Sequence, residues 1–423
     1  MTIAAIIAEY NPFHNGHDYM IQKVKEETGA DYVIAVMSGD FTQRGIPGIA
    51  DKHTRAKMAT SCGADAVFEL PVRFATASAE LFATGAVSLF NALSCVDYLC
   101  FGSEYGKLSD FTKASDLLLN EPEDFQRAIQ KYLREGLSYP KAFALAVKES
   151  GAASDIEPEL LEKPNNLLGL EYLKAIKKMA SSIKPHTITR TGTGYHDEHA
   201  AFSDDSGTLI ASASAIRAAL SKEAGSIAAA QPLLPAESYR IFAESYGITA
   251  PITLNDFSLL LSTRIAAETK DSLAAFLDVP KELADRIYRF RDEFLPFTEL
   301  IEAIKHKQYT YARINRALVH ILLGLKEKNS TLSTPDSGTF PSLVPYARLL
   351  AMKKSASPLM KEIKEHSQIP VITKPAEARK MLDEDALAMF MEDVDAADLY
   401  NRIVASKFET PFVTDMKHSI ELV

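Results

Sequence analysis

Cysteine is scarce in this chain. Its three thiols in 423 residues are Cys62, Cys95 and Cys100, and none forms a CxxC pair. They cannot build a zinc site on their own, and an odd number of them suits a reducing compartment. Burial as small hydrophobes is their expected role. Long apolar runs are missing as well. The N-terminal run Ile3–Ala8 gives way to polar residues after six positions. Neither a secretory signal nor a span of the roughly 20 residues that cross a bilayer is expected, so the expected location is cytoplasmic, with no membrane partner. Positive charge is in deficit. A net charge of −10 argues against a generic nucleic-acid coat but leaves room for a local basic surface. Two familiar phosphate loops, G-x-x-x-x-G-K-[ST] and G-x-G-x-x-G, are absent, so a bound nucleotide needs another cradle. No Ser/His/Asp or Cys/His arrangement asks to be a covalent nucleophile.

What is present is an alternation of short apolar runs and helical stretches. Ile3–Ala8, Tyr32–Met37, Ala66–Leu70, Tyr98–Phe101 and 187–190 read as strands, with helices between them. Near-continuous apolar strands separated by helices predict an α/β fold, a parallel, Rossmann-like sheet covered on both faces. Ligands bind such sheets at the carboxyl ends of the strands. After about residue 230 helical periodicity dominates to about 328. Residues 329–342 have linker composition, and 343–423 mix helices with one strand at Ile369–Ile372. The expected division is a nucleotide-binding catalytic domain over 1–225 and a mainly α-helical domain over 226–423, subdivided near 329–342.

The strand ends carry the chemistry. Ile3–Ala8 stops at Glu9-Tyr10-Asn11-Pro12-Phe13-His14-Asn15-Gly16-His17. A spacing of three puts His14 and His17 on one face of a first helical turn, beside unpaired backbone N–H groups and the positive end of the helix dipole. That corner suits nucleotide phosphates, and Gly16 leaves the backbone open to a ring. Histidines at a helix start also serve as caps or as part of a metal site. Asp40 in Ser38-Gly39-Asp40 reads as a magnesium partner or as a turn residue. Gly102-Ser103-Glu104 ends another strand. Arg190 ends the last strand, Asn165 and Asn166 offer amides to an adenine or ribose edge, and Ser212, Ser214 and Arg217 open a helix where they could hold β- and γ-phosphates. Caps, salt bridges and turns are the ordinary alternatives for these residues.

The order strand, His-x-Gly-His, parallel sheet, Ser-x-Ser-x-x-Arg resembles the adenylyl-transferring nucleotidyltransferase superfamily. His14-Asn15-Gly16-His17 matches its first motif fully. Ser212-Ala213-Ser214-Ala215-Ile216-Arg217 matches its second, with Ala in place of the middle Ser. Together with Val36-Met37-Ser38-Gly39-Asp40-Phe41-Thr42-Gln43-Arg44-Gly45, Phe101-Gly102-Ser103-Glu104 and Lys163-Pro164-Asn165-Asn166, these motifs are similar to the bacterial tRNA(Met) cytidine acetate ligases over the first 220 residues and, more loosely, to the C-terminus. The resemblance implies ATP, with magnesium, as substrate, acetate as the acyl donor, and elongator tRNA(Met) as the acceptor. It implies ATP binding by Ile7, Ala8, Glu9, Tyr10, Asn11, Pro12, Phe13, His14, Asn15, Gly16, His17, Met20, Gly102, Asn165 and Arg190. It implies reaction roles for His14, His17, Ser212 and Arg217, with Asp40 near the acetyl or amine site. No resident protein-bound metal is expected.

A substrate as large as tRNA accounts for the appended helical region. Residues 305–328 carry Lys305, Lys307, Arg313, Arg316, Lys326 and Lys328 against Glu327, a local +5. Residues 345–374 carry Arg348, Lys353, Lys354, Lys361, Lys364 and Lys374 against Glu362 and Glu365, a local +4. Gln43-Arg44-Gly45 with Lys52, Arg55 and Lys57 would give an anticodon loop a basic rest beside the rim. Two alternatives stay open: an adenylyltransferase making a nucleotide cofactor, and a non-catalytic RNA-binding protein.

Overall fold

The structure is a computed structural model that describes residues 1–137, 139–150, 159–189, 202–203, 207–220, 226–306, 309–327 and 343–423. Five strands from the first half of the chain, β1 (Ile3–Ala8), β2 (Tyr32–Ser38), β3 (Ala66–Leu70), β4 (Tyr98–Ser103) and β5 (Lys184–Thr189), run parallel in the order β3-β2-β1-β4-β5. Along β1, Ala8 pairs with Met37 on one side and Ile6 with Cys100 on the other. The strand order reverses at β1, and the crevice at such a point is where doubly wound sheets take ligands.

The apolar strands are buried on both faces because their residues alternate. Ile3, Ala5, Ile34, Val36 and Phe68 join one core with the helices Ala79–Leu93 and Pro164–Lys178. Ala4, Ile6, Val33, Ala35 and Val67 join the other, with helices α1 (Asn15–Thr28) and α2 (Lys52–Ser61) and the helix Ala236–Ser245. The helical stretch read at 110–150 comprises Leu108–Asn120, Glu123–Arg134 and Tyr139–Ser150, and its apolar side merges with the first core. A two-stranded hairpin, β6 (Phe202–Ser203) with β7 (Leu209–Ile210), precedes the helix Ala213–Leu220.

Residues 226–306 and 309–327 are mainly helical, as expected. Their core holds Phe257, Leu261, Phe276, Ile287 and Ile314, and it also takes in Phe41 and Val72 from the sheet's rim. Within the part expected to be mainly helical and subdivided near 329–342, the stretches on the two sides of that segment differ. Residues 343–423 return to the sheet. β8 (Ala347–Met352) lies antiparallel on β3, with Phe68 opposite Leu349 and Glu69 opposite Arg348. β9 (Val371–Ile372) and β10 (Glu421–Leu422) pair with β8. The sequence of β8, Ala-Arg-Leu-Leu-Ala-Met, consists of strong helix formers and fits a helix as well as a strand. The open edge of β3 decides its state. Among the described residues no helix is long and apolar enough to cross a membrane.

Candidate functional site

The turn after β1 builds the site. Tyr10 adopts a left-handed φ of 47°, which swings the chain out of the strand. Asn11 is buried and works from its side chain, donating to Pro47 O at 3.1 Å and accepting from Ile49 N at 2.7 Å. This ties the β1 turn to the loop that follows β2.

His14 is the N-cap of α1 rather than part of its first turn, with extended backbone at φ −134°. Its Nδ1 accepts from Gly16 N at 3.1 Å, and His17 Nδ1 accepts from His14 N at 3.2 Å, a reciprocal capping box made by two imidazoles. Each Nδ1 is therefore an acceptor, which puts each neutral ring's proton on Nε2. The rings stack with centroids 3.7 Å apart and planes 24° apart. Tyr10 meets His17 edge-on at 4.9 Å, and Phe13 flanks it at 5.5 Å. The ring that approaches Gly16 is that of His14 itself: a Cβ there would sit 3.1 Å from His14 Cε1 and 3.3 Å from Ile210 Cγ2. Asn15 fastens the hairpin side, donating to Leu209 O at 2.7 Å and to Pro232 O at 3.0 Å.

Arg217 reaches this corner from the helix Ala213–Leu220. Its Nη1 donates to Asn11 O at 2.7 Å and its Nη2 to Ser214 Oγ at 3.3 Å. Burial and the nearby Arg44 push its pKa down to about 10, with Glu9 acting against them. Ser212 caps that helix, its Oγ accepting from Ala215 N at 3.1 Å. The structure thus brings His14, His17, Ser214 and Arg217 to one rim. It adds Arg44, whose Nη1 donates to Ser214 Oγ at 3.0 Å.

The opposite side of the crevice is closed by the helix Pro164–Lys178. Asn165 Nδ2 donates to Glu104 Oε1 at 2.6 Å, and Asn166 Oδ1 accepts from Glu104 N at 3.0 Å. The asparagines therefore dock this helix start on the end of β4. Gly102 lies in β4 opposite Ile188. Arg190 lies outside the described residues. Ile7 and Ala8 end β1, and Met20 packs from α1 against the second core. Glu9 Oε1 accepts from Gln43 N at 3.0 Å.

Asp40 follows β2 and is buried. One of its oxygens accepts from Lys52 N at 2.7 Å, and its backbone O accepts from Gly48 N at 2.8 Å. Burial raises its pKa to about 6, against the pull of Lys52 and Arg55. Beneath it lies a buried ionic network that sequence reasoning missed. Lys52 Nζ binds Glu69 at 2.7 and 2.9 Å and Asp415 at 2.9 Å, and Arg348 grips Asp415 at 2.6 and 2.9 Å. Nothing local marks Arg348 or Asp415, because their partners lie from 67 to 363 residues away.

The expected basic rest beside the rim does not form as read. Lys52 is inside that network. Arg55 is fully buried, its guanidinium spent on the carbonyls of Ala50, Glu9, Ser38 and Gly39. Lys57 remains partly exposed, 3.7 Å from Glu421. The late clusters are also thinned. Arg348 is internal, and Arg316 is buried with Asp278 at 3.3 Å. Lys361 and Lys374 sit 3.7 Å from Glu365 and Glu377. Lys305 lies over the Tyr311 ring, while Lys307 and Lys328 lie outside the described residues. Burial pushes the thiols of Cys62, Cys95 and Cys100 up to about 11, 12 and 12, away from thiolate chemistry.

The family described as HIGH Nucleotidyl Transferase matches residues 1–412. The tRNA(Met) cytidine acetate ligase of Acetivibrio thermocellus is 38% identical over 405 residues, covering 95% of this chain and 94% of the relative. The protein of the same name from Clostridium perfringens is 36% identical over 411 residues, covering 95% of each. Among solved structures, apo Thermotoga maritima TmcAL superposes with a TM-score of 0.88 at 27% identity, covering all of both chains. The same protein bound with alpha-thio ATP gives 0.86, again at 27% identity and full coverage.

Proposed function

The chain belongs to the tRNA(Met) cytidine acetate ligase family, within the HIGH nucleotidyl transferases, and from that premise we propose that it activates acetate with ATP and acetylates the wobble cytidine of elongator tRNA(Met). A cofactor-making adenylyltransferase and a non-catalytic RNA binder both give way to this full-length kinship. ATP is the activating substrate.

In the first step an acetate oxygen attacks the α-phosphorus. The bond from that phosphorus to the bridging oxygen breaks, and pyrophosphate leaves with the electron pair. Acetate is already ionised and needs no base, so the protein's task is positioning and stabilisation of charge. The observation that carries this reading is the stacked pair His14 and His17, each with Nδ1 taken by a backbone N–H. Each ring then has an Nε2–H to donate to oxygens that gain charge during attack, at the positive end of the α1 dipole. Arg217 and Ser214 supply donors for the β- and γ-phosphates. Magnesium would be carried on the triphosphate; among the described residues no group of three or more His, Cys, Asp or Glu side chains could hold a metal ion.

In the second step the cytidine's exocyclic amine attacks the acetyl carbon, and AMP departs. We assign Asp40 to this side of the reaction. A carboxylate raised to about 6 by burial is matched to accepting the amine proton near neutral pH. Ile7–His17, Met20, Gly102, Asn165 and Arg190 form the proposed ATP surface, and the helical region beyond 226 the proposed tRNA platform. A cytoplasmic location is part of the same proposal and is supported by a tRNA substrate.

The test is mass spectrometry of nucleosides from tRNA(Met) incubated with the protein, ATP and labelled acetate. Labelled N-acetylcytidine is expected. An unlabelled cytidine, with pyrophosphate exchange absent, overturns the proposal.

A further inference from the structure

We infer that Arg44 is a second triphosphate-binding guanidinium, acting across Ser214 from Arg217 and gripping the β- and γ-phosphates of ATP. The inference rests on the ATP-binding reading of the His14/His17 corner and extends it to a residue on a different loop.

The geometry is direct. Arg44 Nη1 and Arg217 Nη2 both donate to the single hydroxyl of Ser214, at 3.0 and 3.3 Å. Two guanidiniums that meet on one hydroxyl concentrate positive charge at one place, which favours an anionic ligand there. Glu9 is a nearby carboxylate, and the loop engages it through Gln43 N at 3.0 Å. A triphosphate brings several negative charges to the same place, with oxygens suited to guanidinium forks.

The loop that carries Arg44 is built to hold it there. Thr42 N donates to Ile46 O at 2.9 Å, Thr42 Oγ1 to the same carbonyl at 3.1 Å, and Gly45 N to Thr42 O at 2.9 Å. Gly45 has φ +66° and lies so close to the helix Tyr311–Leu323 that a Cβ would stand 2.5 Å from Asn315 C. One side of the loop thus rests on the helical region while its tip faces the catalytic rim. An arginine in this segment read from sequence alone belongs to a tRNA surface; its hydrogen bond to Ser214 turns it inward.

Equilibrium binding of ATP and AMP to the full chain, without tRNA, tests the assignment with Arg44→Ala, Arg44→Lys and His17→Ala. Arg44→Ala should weaken ATP binding roughly 10- to 100-fold, the range for a lost hydrogen bond to a charged group, and leave AMP binding within about 2-fold. Arg44→Lys should recover part of the loss, since it restores charge without the fork. Equal weakening of ATP and AMP would mean a loop-packing role and overturn the inference. So would unchanged ATP binding in Arg44→Ala, or a loss confined to tRNA binding. If the wild-type chain binds no ATP, the corner's reading and this inference fall together. If wild type binds ATP and Arg44→Ala binds it equally, the inference alone falls.

Discussion

Replacing Asp415 by Asn removes one charge from the network under Asp40 and changes little else in shape. The carboxylate joins the C-terminal segment to α2 and β8, accepting from Lys52 Nζ at 2.9 Å, from Arg348 at 2.6 and 2.9 Å, and contacting His53 Nε2 at 3.1 Å. Without it, two buried cations share Glu69, which already binds Lys52 at 2.7 Å and lies 3.2 Å from Arg348. Two attractions of about 4 kcal/mol each, at an effective dielectric of about 20, stand against a desolvation cost of several kcal/mol for the carboxylate. The balance is a loss of about 3–5 kcal/mol on breaking the group, a large part of a typical stability of about 5–15 kcal/mol. Urea unfolding at pH 7 measures it. The double variant Arg348→Met with Asp415→Leu removes one charge of each sign and should lose less than the two single changes added together. Burial raises the Asp415 pKa, but Lys52 and Arg348 outweigh it and hold the carboxyl well below its ordinary value of 3.8. Its contribution is therefore complete above that ordinary value and disappears as pH falls through the folded one. The gap between wild type and Asp415→Asn should be constant from about pH 5 to 7 and close on acidification below about 4. A loss under about 1 kcal/mol at pH 7, the worth of an exposed pair, would refute the account of a desolvated, interdependent network.

Further outcomes are expected at the site itself. His17→Ala should abolish acetate-dependent pyrophosphate exchange and leave tRNA affinity nearly intact; joint loss of both in a folded protein would count against the assigned role. Asp40→Asn should retain that exchange while acetyl transfer to tRNA slows by about 100-fold or more, the lower end of what general bases contribute. In the wild type, transfer should rise with pH through about 6 as Asp40 loses its proton, and a flat single-turnover profile would remove it from the chemistry. Lys305→Glu with Lys307→Glu should weaken tRNA binding and flatten its dependence on salt without altering ATP binding. Filter-binding titrations at two salt concentrations decide whether those lysines meet RNA or only solvent.

Local pattern determined a great deal. Apolar runs of strand length, each followed by a helix, were enough for the parallel sheet, and Ala66–Leu70 and Ile3–Ala8 emerge with the ends read from sequence. His14-Asn15-Gly16-His17 and the serines before Arg217 could be recognised because each motif is contiguous and its chemistry lies within one turn of chain. The choice of a cap role for His14 among its alternatives, and the tautomers that role fixes, could not, since they depend on which backbone N–H each ring meets. Nor could Arg44, Lys52, Arg55 and Arg348 be sorted. A cation in sequence is equally a surface charge, a phosphate ligand or half of a buried pair, and its partners here come from elements up to 363 residues away. The same holds for β8, whose residues favour a helix until an open strand edge offers them hydrogen bonds. The strands of the first half and the His-x-Gly-His motif are short-range properties and were written in the chain. The partners of its charges, the last strands of its sheet and the inward turn of Arg44 are long-range properties, settled only when folding closed the distance between them.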